Sequence, residues 1–257
     1  MIFFFKKKFG QNFLKDSTTL NKIISIENIK DKFVIEVGPG AGALTKLILR
    51  EKPKKLIVIE KDKSLEYNLI KIKQSHPYNF EFLIDDVLFF DFTKLCEKKI
   101  LIFGNLPYNI ASSLIINLVK LNNIFEYMVF MVQKEVADRF VANVSTKAYG
   151  RLSVLIQLQS EVKRIFDVSP ENFFPKPKVF STVIRIKPKT DYKFEYKKLD
   201  ILLKNSFKHK RKTLKNNLKD FTENSEEKII NCGIDPNLRP QDIKPEEYLR
   251  LSKHLIQ

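Results

Sequence analysis

Short apolar runs alternate with amphipathic stretches over the first half of the chain. FVIEV (33–37), LIVIE (56–60), FEFLI (80–84), ILIFG (100–104) and YMVFMV (127–132) are rich in β-branched or aromatic residues and too continuous for one-sided exposure. Such runs read as strands buried on both faces. Between them, near 42–51, 62–74, 110–121 and 133–142, apolar residues recur at helical spacing. Strands alternating with helices imply right-handed βαβ crossovers and a parallel sheet covered on both faces.

The rhythm changes after Tyr149. RLSVLIQLQS (151–160) suits a helix, whereas EVKRIFDV (161–168) and KVFSTVIRIKP (178–188) alternate like strands around the Pro-punctuated SPENFFPKPK. Two late strands so close together predict a hairpin on the sheet edge. From about Asp191 no strand pattern remains. KKLDILLKNSFKHKRKTLKNNLKDF (197–221) has helical spacing and is densely basic, and PEEYLRLSKHLI (245–256) reads as a last helix opened by Pro245. The pattern predicts an α/β domain over 1–188 and a small all-helical domain over 189–257, joined by a linker near 188–192.

Composition narrows this picture. With 257 residues, 44% of them hydrophobic, the chain can bury a sizeable core, which excludes global disorder. Cys96 and Cys232 lie far apart without CxxC spacing, so neither a disulfide framework nor a zinc site is expected. MIFFFKKKFG puts its apolar residues before its lysines, the reverse of a secretory signal, and no run has the length of a membrane span. A soluble cytoplasmic protein is the expectation. The net charge of +16 suits a polyanionic partner, although 8 arginines among 46 basic residues mark a Lys-rich composition that inflates the charge.

Candidate chemistry begins where the run 33–37 meets Gly38-Pro39-Gly40-Ala41-Gly42, followed by a helix. Glycines let the backbone turn sharply and pass close to a ligand, and the helix N-terminus offers N–H groups. The next strand ends in Glu60, whose carboxylate can accept both hydroxyls of a ribose. A dinucleotide site calls for GxGxxG, whereas this loop is GxGxG. Asp86, just past the third strand in LIDDVLFFDF, can accept a hydrogen bond from an adenine amino group, with Asp85 the alternative at that spot. One adenosine, as in S-adenosylmethionine, is therefore the expected ligand.

Asn105-Leu106-Pro107-Tyr108 follows the fourth strand, where open parallel sheets bind ligands. The tetrapeptide suits methylation of an aromatic amine. The lone pair of adenine N6 is conjugated into its ring, which makes the nitrogen a poor nucleophile. The Asn105 side-chain oxygen and the Leu106 carbonyl can each accept one N6 hydrogen, turning the lone pair toward a sulfonium methyl. Pro107 holds Leu106 extended, and Tyr108 can stack on a base turned out of its helix.

These residues resemble the small-subunit ribosomal RNA adenine N6,N6-dimethyltransferase family. The likeness covers nearly the whole chain: FGQNFL (9–14), EVGPG (36–40), VIEKD (58–62), Asp86, FGNLPYNIAS (103–112), QKEVADR (133–139), KAYGRLSV (147–154), FFPKPKV (173–179), KRKTLKNNL (210–218) and GIDPNLRP (233–240). It implies a Rossmann-like class I methyltransferase domain with a mainly parallel seven-stranded sheet, and S-adenosylmethionine as cofactor. It implies cofactor contacts at Asn12, Leu14, Gly38, Gly40, Glu60, Asp86 and Asn105. It further implies that Phe173 sandwiches the target base against Tyr108, with Phe174 the alternative ring.

The implied substrate is two adjacent adenosines in the 3′-terminal hairpin loop of small-subunit rRNA, on an immature 30S particle. No metal and no membrane take part, and the expected unit is a monomer. Lys204, Lys208, Lys210, Arg211, Lys212, Lys215 and Lys219 recur at spacings that put several on one helix face able to track phosphates. The family favours Arg in this tail and near its RP motif, whereas this chain has Lys210-Arg211-Lys212 and Arg239-Pro240-Gln241. Two alternatives stand: a large-subunit rRNA adenine methylase of the macrolide-resistance kind, and a non-catalytic ribosome-assembly factor.

Overall fold

A computed structural model describes residues 12–95, 97–190 and 194–255. The expected motif residues 9–11 and Cys96 lie outside that set. In chain order the elements are β1 (Phe13–Leu14), α1 (Ser17–Ile24), β2 (Phe33–Val37), α2 (Ala43–Arg50), β3 (Lys55–Glu60), α3 (Glu66–Ser75), β4 (Phe80–Ile84), β5 (Ile100–Asn105) and α4 (Ala111–Val119). There follow β6 (Phe125–Gln133), α5 (Lys134–Phe140), α6 (Arg151–Gln159), β7 (Ser160–Val168), β8 (Phe173–Phe174), β9 (Ser181–Pro188), α7 (Tyr196–Ser206), α8 (Leu214–Leu218), α9 (Ser225–Asn231) and α10 (Pro245–Leu255).

Seven strands form one sheet in the order β4-β3-β2-β5-β6-β9-β7. The first five of these run parallel, as the continuous apolar runs require, and β9 lies antiparallel to β6. The expected edge hairpin is present, with its later strand inserted next to β6. β2 and β3 are almost wholly buried, because helices cover both of their faces. The chain winds from β2 toward β4 and then returns to β5, so the order of travel reverses between β2 and β5. That reversal opens a crevice at their C-terminal ends, where Val37 stands opposite Gly104.

By packing the chain divides into two units. The first comprises residues up to Ala137 together with Val162–Pro188, and the second comprises Asp138–Glu161 with the chain from Lys189 onward. Segment 138–161, which the sequence pattern grouped with the α/β domain, thus packs with the C-terminal helices. Within the second unit the Tyr149 hydroxyl donates to the Ile243 carbonyl at 2.9 Å, and that of Tyr248 donates to the Pro240 carbonyl at 2.8 Å. The ring of Phe207 packs against both tyrosines.

The long basic helix expected over 197–221 is not continuous. It stops at Ser206, and residues 207–213 form a turn before α8. The side chain of Asn217 takes over the hydrogen bonds that a helix would make. Its Oδ1 accepts the His209 N–H at 3.0 Å, and its Nδ2 reaches the carbonyls of His209, Lys212 and Thr213.

Candidate active site

A cavity of about 470 Å³ lies in the crevice, a size suited to a nucleoside-like ligand. It is bounded by the loop after β2, the ends of β3 and β5, the turn after β4 and residues 12–13. Gly38, Gly40, Glu60, Asp86, Asn105, Leu106, Pro107, Tyr108 and Asn12, all expected site residues, line it together.

The loop owes its shape to glycine. Gly40 has φ +58°, and a Cβ there would stand 2.5 Å from the Phe13 ring, so both conformation and space exclude a side chain. Glu60 clamps this loop from the end of β3. The residue is 5% exposed, and its carboxylate accepts the Gly40 N–H at 3.1 Å and the Asp62 N–H at 2.8 Å. Burial raises its pKa while the backbone donors oppose the rise. Two of the carboxylate's lone-pair positions are thereby used, which leaves it acceptor capacity for two ribose hydroxyls.

At the far end Asp86 accepts the Lys61 ammonium at 2.6 Å, and this cation holds its pKa below the usual value. Its other oxygen accepts the Leu88 N–H at 3.1 Å. Asp85 lines the cavity as well, but it is exposed and its Oδ1 accepts the Asp86 N–H at 2.7 Å. A ribose acceptor, an adjacent acid for an amino group and a glycine loop make a donor–acceptor set that fits an adenosine. Lys61 escaped sequence reasoning, since a lysine after a strand-end acid looks like an ordinary solvated residue.

Asn105 is the last residue of β5 and stays in register with Met131 of β6. The next N–H, of Leu106, donates to the Met131 carbonyl at 3.1 Å and extends the ladder into the motif. The Asn105 Nδ2 donates to the Asn12 carbonyl at 2.7 Å. That bond directs the amide NH₂ at the residue before β1 and leaves Oδ1 as the acceptor. The Tyr108 hydroxyl lies 3.0 Å from Ser181 Oγ on β9, and burial pushes its pKa up. The Pro107 carbonyl accepts the N–H groups of Ile110 and Ala111, so the motif feeds directly into α4.

Two expected residues are not among those that line this cavity. Leu14 is 7% exposed and packs in the core, and Phe13 lines the cavity in its place. Phe173 is 2% exposed in the same core, whereas Phe174 is 56% exposed. The cause is the two-stranded ribbon: Leu14 pairs with Phe173 and Phe13 with Phe174, and paired residues share a face. One face meets the core, so Phe173 is buried and Phe174 is exposed.

Glu36, in the EVGPG segment, lies inside strand β2. It is 1% exposed, accepts the Thr45 hydroxyl at 2.6 Å, and borders a second cavity of about 80 Å³ shared with Gly38, Gly104 and Asn105. Burial, with the nearby Glu60, raises its pKa to about 8, so the group is largely neutral at pH 7. The signal in the sequence was an acid inside an otherwise apolar strand run.

The expected RNA-binding cations lie in the second unit. Lys208, Lys210, Arg211 and Lys212 are exposed in the turn after α7, not on a helix face as their spacing had suggested. Lys215 on α8 pairs with Glu226 at 3.1 Å. Among the described residues no group of three His, Cys, Asp or Glu could hold a metal ion, and no helix is long and apolar enough to cross a membrane.

The family model for ribosomal RNA adenine dimethylase matches residues 2–257. A ribosomal RNA small subunit methyltransferase A from Malacoplasma penetrans is 44% identical over 254 residues, covering 97% of this chain and 91% of its own. Its counterpart from Pelagibacter ubique is 40% identical over 255 residues, covering 96% and 95%. Among solved structures, a dimethyladenosine transferase from Plasmodium falciparum superposes with a TM-score of 0.79 at 28% identity, covering 93% of this chain and 95% of its own. Family, sheet order and site geometry agree: the chain belongs to the ribosomal RNA adenine dimethylases, S-adenosylmethionine-dependent methyltransferases of the class I fold.

Proposed function

We propose that this protein methylates N6 of two adjacent adenosines in the 3′-terminal hairpin loop of 16S rRNA, giving N6,N6-dimethyladenosine, and that it acts in the cytoplasm on an immature small subunit. The observation that carries the reading is the Asn105 carboxamide, held by the Asn12 carbonyl with its oxygen left to accept at the cavity.

Bound S-adenosylmethionine supplies an electrophilic methyl on a sulfonium whose positive charge disperses as transfer proceeds. Glu60 would hold its ribose and Asp86 its adenine edge. The target adenine enters flipped, with its ring on Tyr108 and its N6 hydrogens on Asn105 Oδ1 and the Leu106 carbonyl. Those two acceptors draw the nitrogen toward tetrahedral geometry and aim its lone pair. The methylated ammonium is strongly acidic and sheds its proton without a dedicated base. Oriented dipoles in a water-poor site favour this charge-dispersing step. The turn 208–212 would bind phosphates.

Purified protein, S-adenosylmethionine and isolated 30S and 50S particles from cells lacking this protein test the reading. Methyl transfer to 30S at two neighbouring adenosines is expected. Transfer to 50S alone, or none to either, overturns it.

A further inference from the structure

The end of β8 and the segment joining it to β9 carry a surface that the cavity chemistry does not use. Phe174, Val179 and Phe180 are exposed at 56%, 43% and 50%. Lys176 and Lys178 stand between them and are exposed too. Pro175 and Pro177 restrict the backbone here, so the rings are presented by a stiff segment.

Phe180 is pinned from both sides. Its carbonyl accepts the Lys134 N–H at 3.0 Å, and the next residue opens β9. That residue, Ser181, holds the Tyr108 hydroxyl at 3.0 Å, so the Phe180 backbone is one residue from the aromatic at the cavity rim. The Lys134 ammonium lies 5.9 Å from the Phe180 ring centroid.

The acids of this face are engaged. Asp167 accepts from Lys134, Arg164 and Thr182, and Glu171 pairs with Lys176. Lys134, Arg164, Lys176 and Lys178 outnumber those two carboxylates, so the face is net positive. Large rings interleaved with cations fit unpaired RNA, whose bases need a stacking surface and whose phosphates need charge. A protein ligand would favour a contiguous apolar patch without the lysines.

We infer that Phe180 and Phe174, with Lys178 between them, hold the unpaired nucleotides that flank the target adenosine, ring against base and ammonium against phosphate. The inference rests on the function proposed above. Flipping one base strips its neighbours of a stacking partner, and exposed rings on the segment that leads into Ser181 replace it.

The test uses the full chain and an RNA hairpin matching the 3′ end of small-subunit rRNA, with 2-aminopurine beside the target pair. Parent protein should bind it with a change in 2-aminopurine fluorescence. Phe180→Leu keeps apolar bulk and loses the aromatic face, so the fluorescence change should shrink and Kd rise about 5- to 150-fold. Phe180→Tyr should restore both. S-adenosylmethionine affinity, measured by calorimetry, should match the parent in each variant and thereby report an intact fold. A Leu variant that binds and fluoresces like the parent overturns the platform. If the parent binds the hairpin but methylates neither it nor small subunits, the proposed function fails instead, and the platform falls with it.

Discussion

The cavity of the first unit and the basic turn of the second are built in opposite ways. In the cavity, strand ends set each group, and hydrogen bonds use up alternatives: Glu60 is tied to two backbone N–H groups and Asn105 to one carbonyl. In the turn, the cations stand in solvent and only the backbone beneath them is tied, through Asn217. Chemistry on one atom needs the first kind of construction. Holding a flexible polyanion needs only the second, because charge attraction tolerates loose geometry.

Substitutions can break or sharpen this contrast. Asn105→Ala should lower methyl transfer to under-methylated 30S by about 10²–10³-fold, the scale of losing one oriented polar group at a reacting centre. Parent-level turnover in single-turnover assays would refute the assigned acceptor. Glu60→Gln puts an amide NH₂ against one of two backbone donors and removes the charge. S-adenosylmethionine should then bind roughly 10- to 100-fold more weakly by calorimetry.

Glu36 tests the buried side of the contrast by pH. Its folded-state pKa lies above the ordinary 4.5, near 8, so the stabilisation is full at low pH and is lost as pH rises through that window. From pH 5 to 8 the parent should lose on the order of 3 kcal/mol through this group. Glu36→Gln cannot ionise, and its thermal midpoint should lack that decline. The solvent-exposed side gives the smallest effect: joint replacement of Lys210, Arg211 and Lys212 by Ala should lower the salt slope of RNA binding by roughly 2–3 while leaving cofactor affinity intact. An unchanged slope would place the phosphates elsewhere.

The same contrast explains what could be read from residues alone. Strands buried on both faces announce themselves as apolar runs, and the chemistry at their tips follows from where each run ends, as at Glu60 and Asn105. The short ribbon of Phe13–Leu14 with Phe173–Phe174 has no such signature. Which of two adjacent phenylalanines turns inward depends on a pairing register that two residues cannot encode. The basic tail misled for a related reason. Lysines at helical spacing say nothing of whether the backbone is helical, and the break at 207–213 depends on one asparagine several residues away. Lys61 and Glu36 acquire meaning only from neighbours distant in sequence, Asp86 and Thr45.

The bond from the Asn105 amide to the Asn12 carbonyl ties the reactive motif to the residue that leads into the short ribbon, whose Phe13 lines the cavity. The heading of the reactive oxygen thus depends on a backbone carbonyl 93 positions away in the chain: anything that displaces Asn12 also frees the carboxamide to turn.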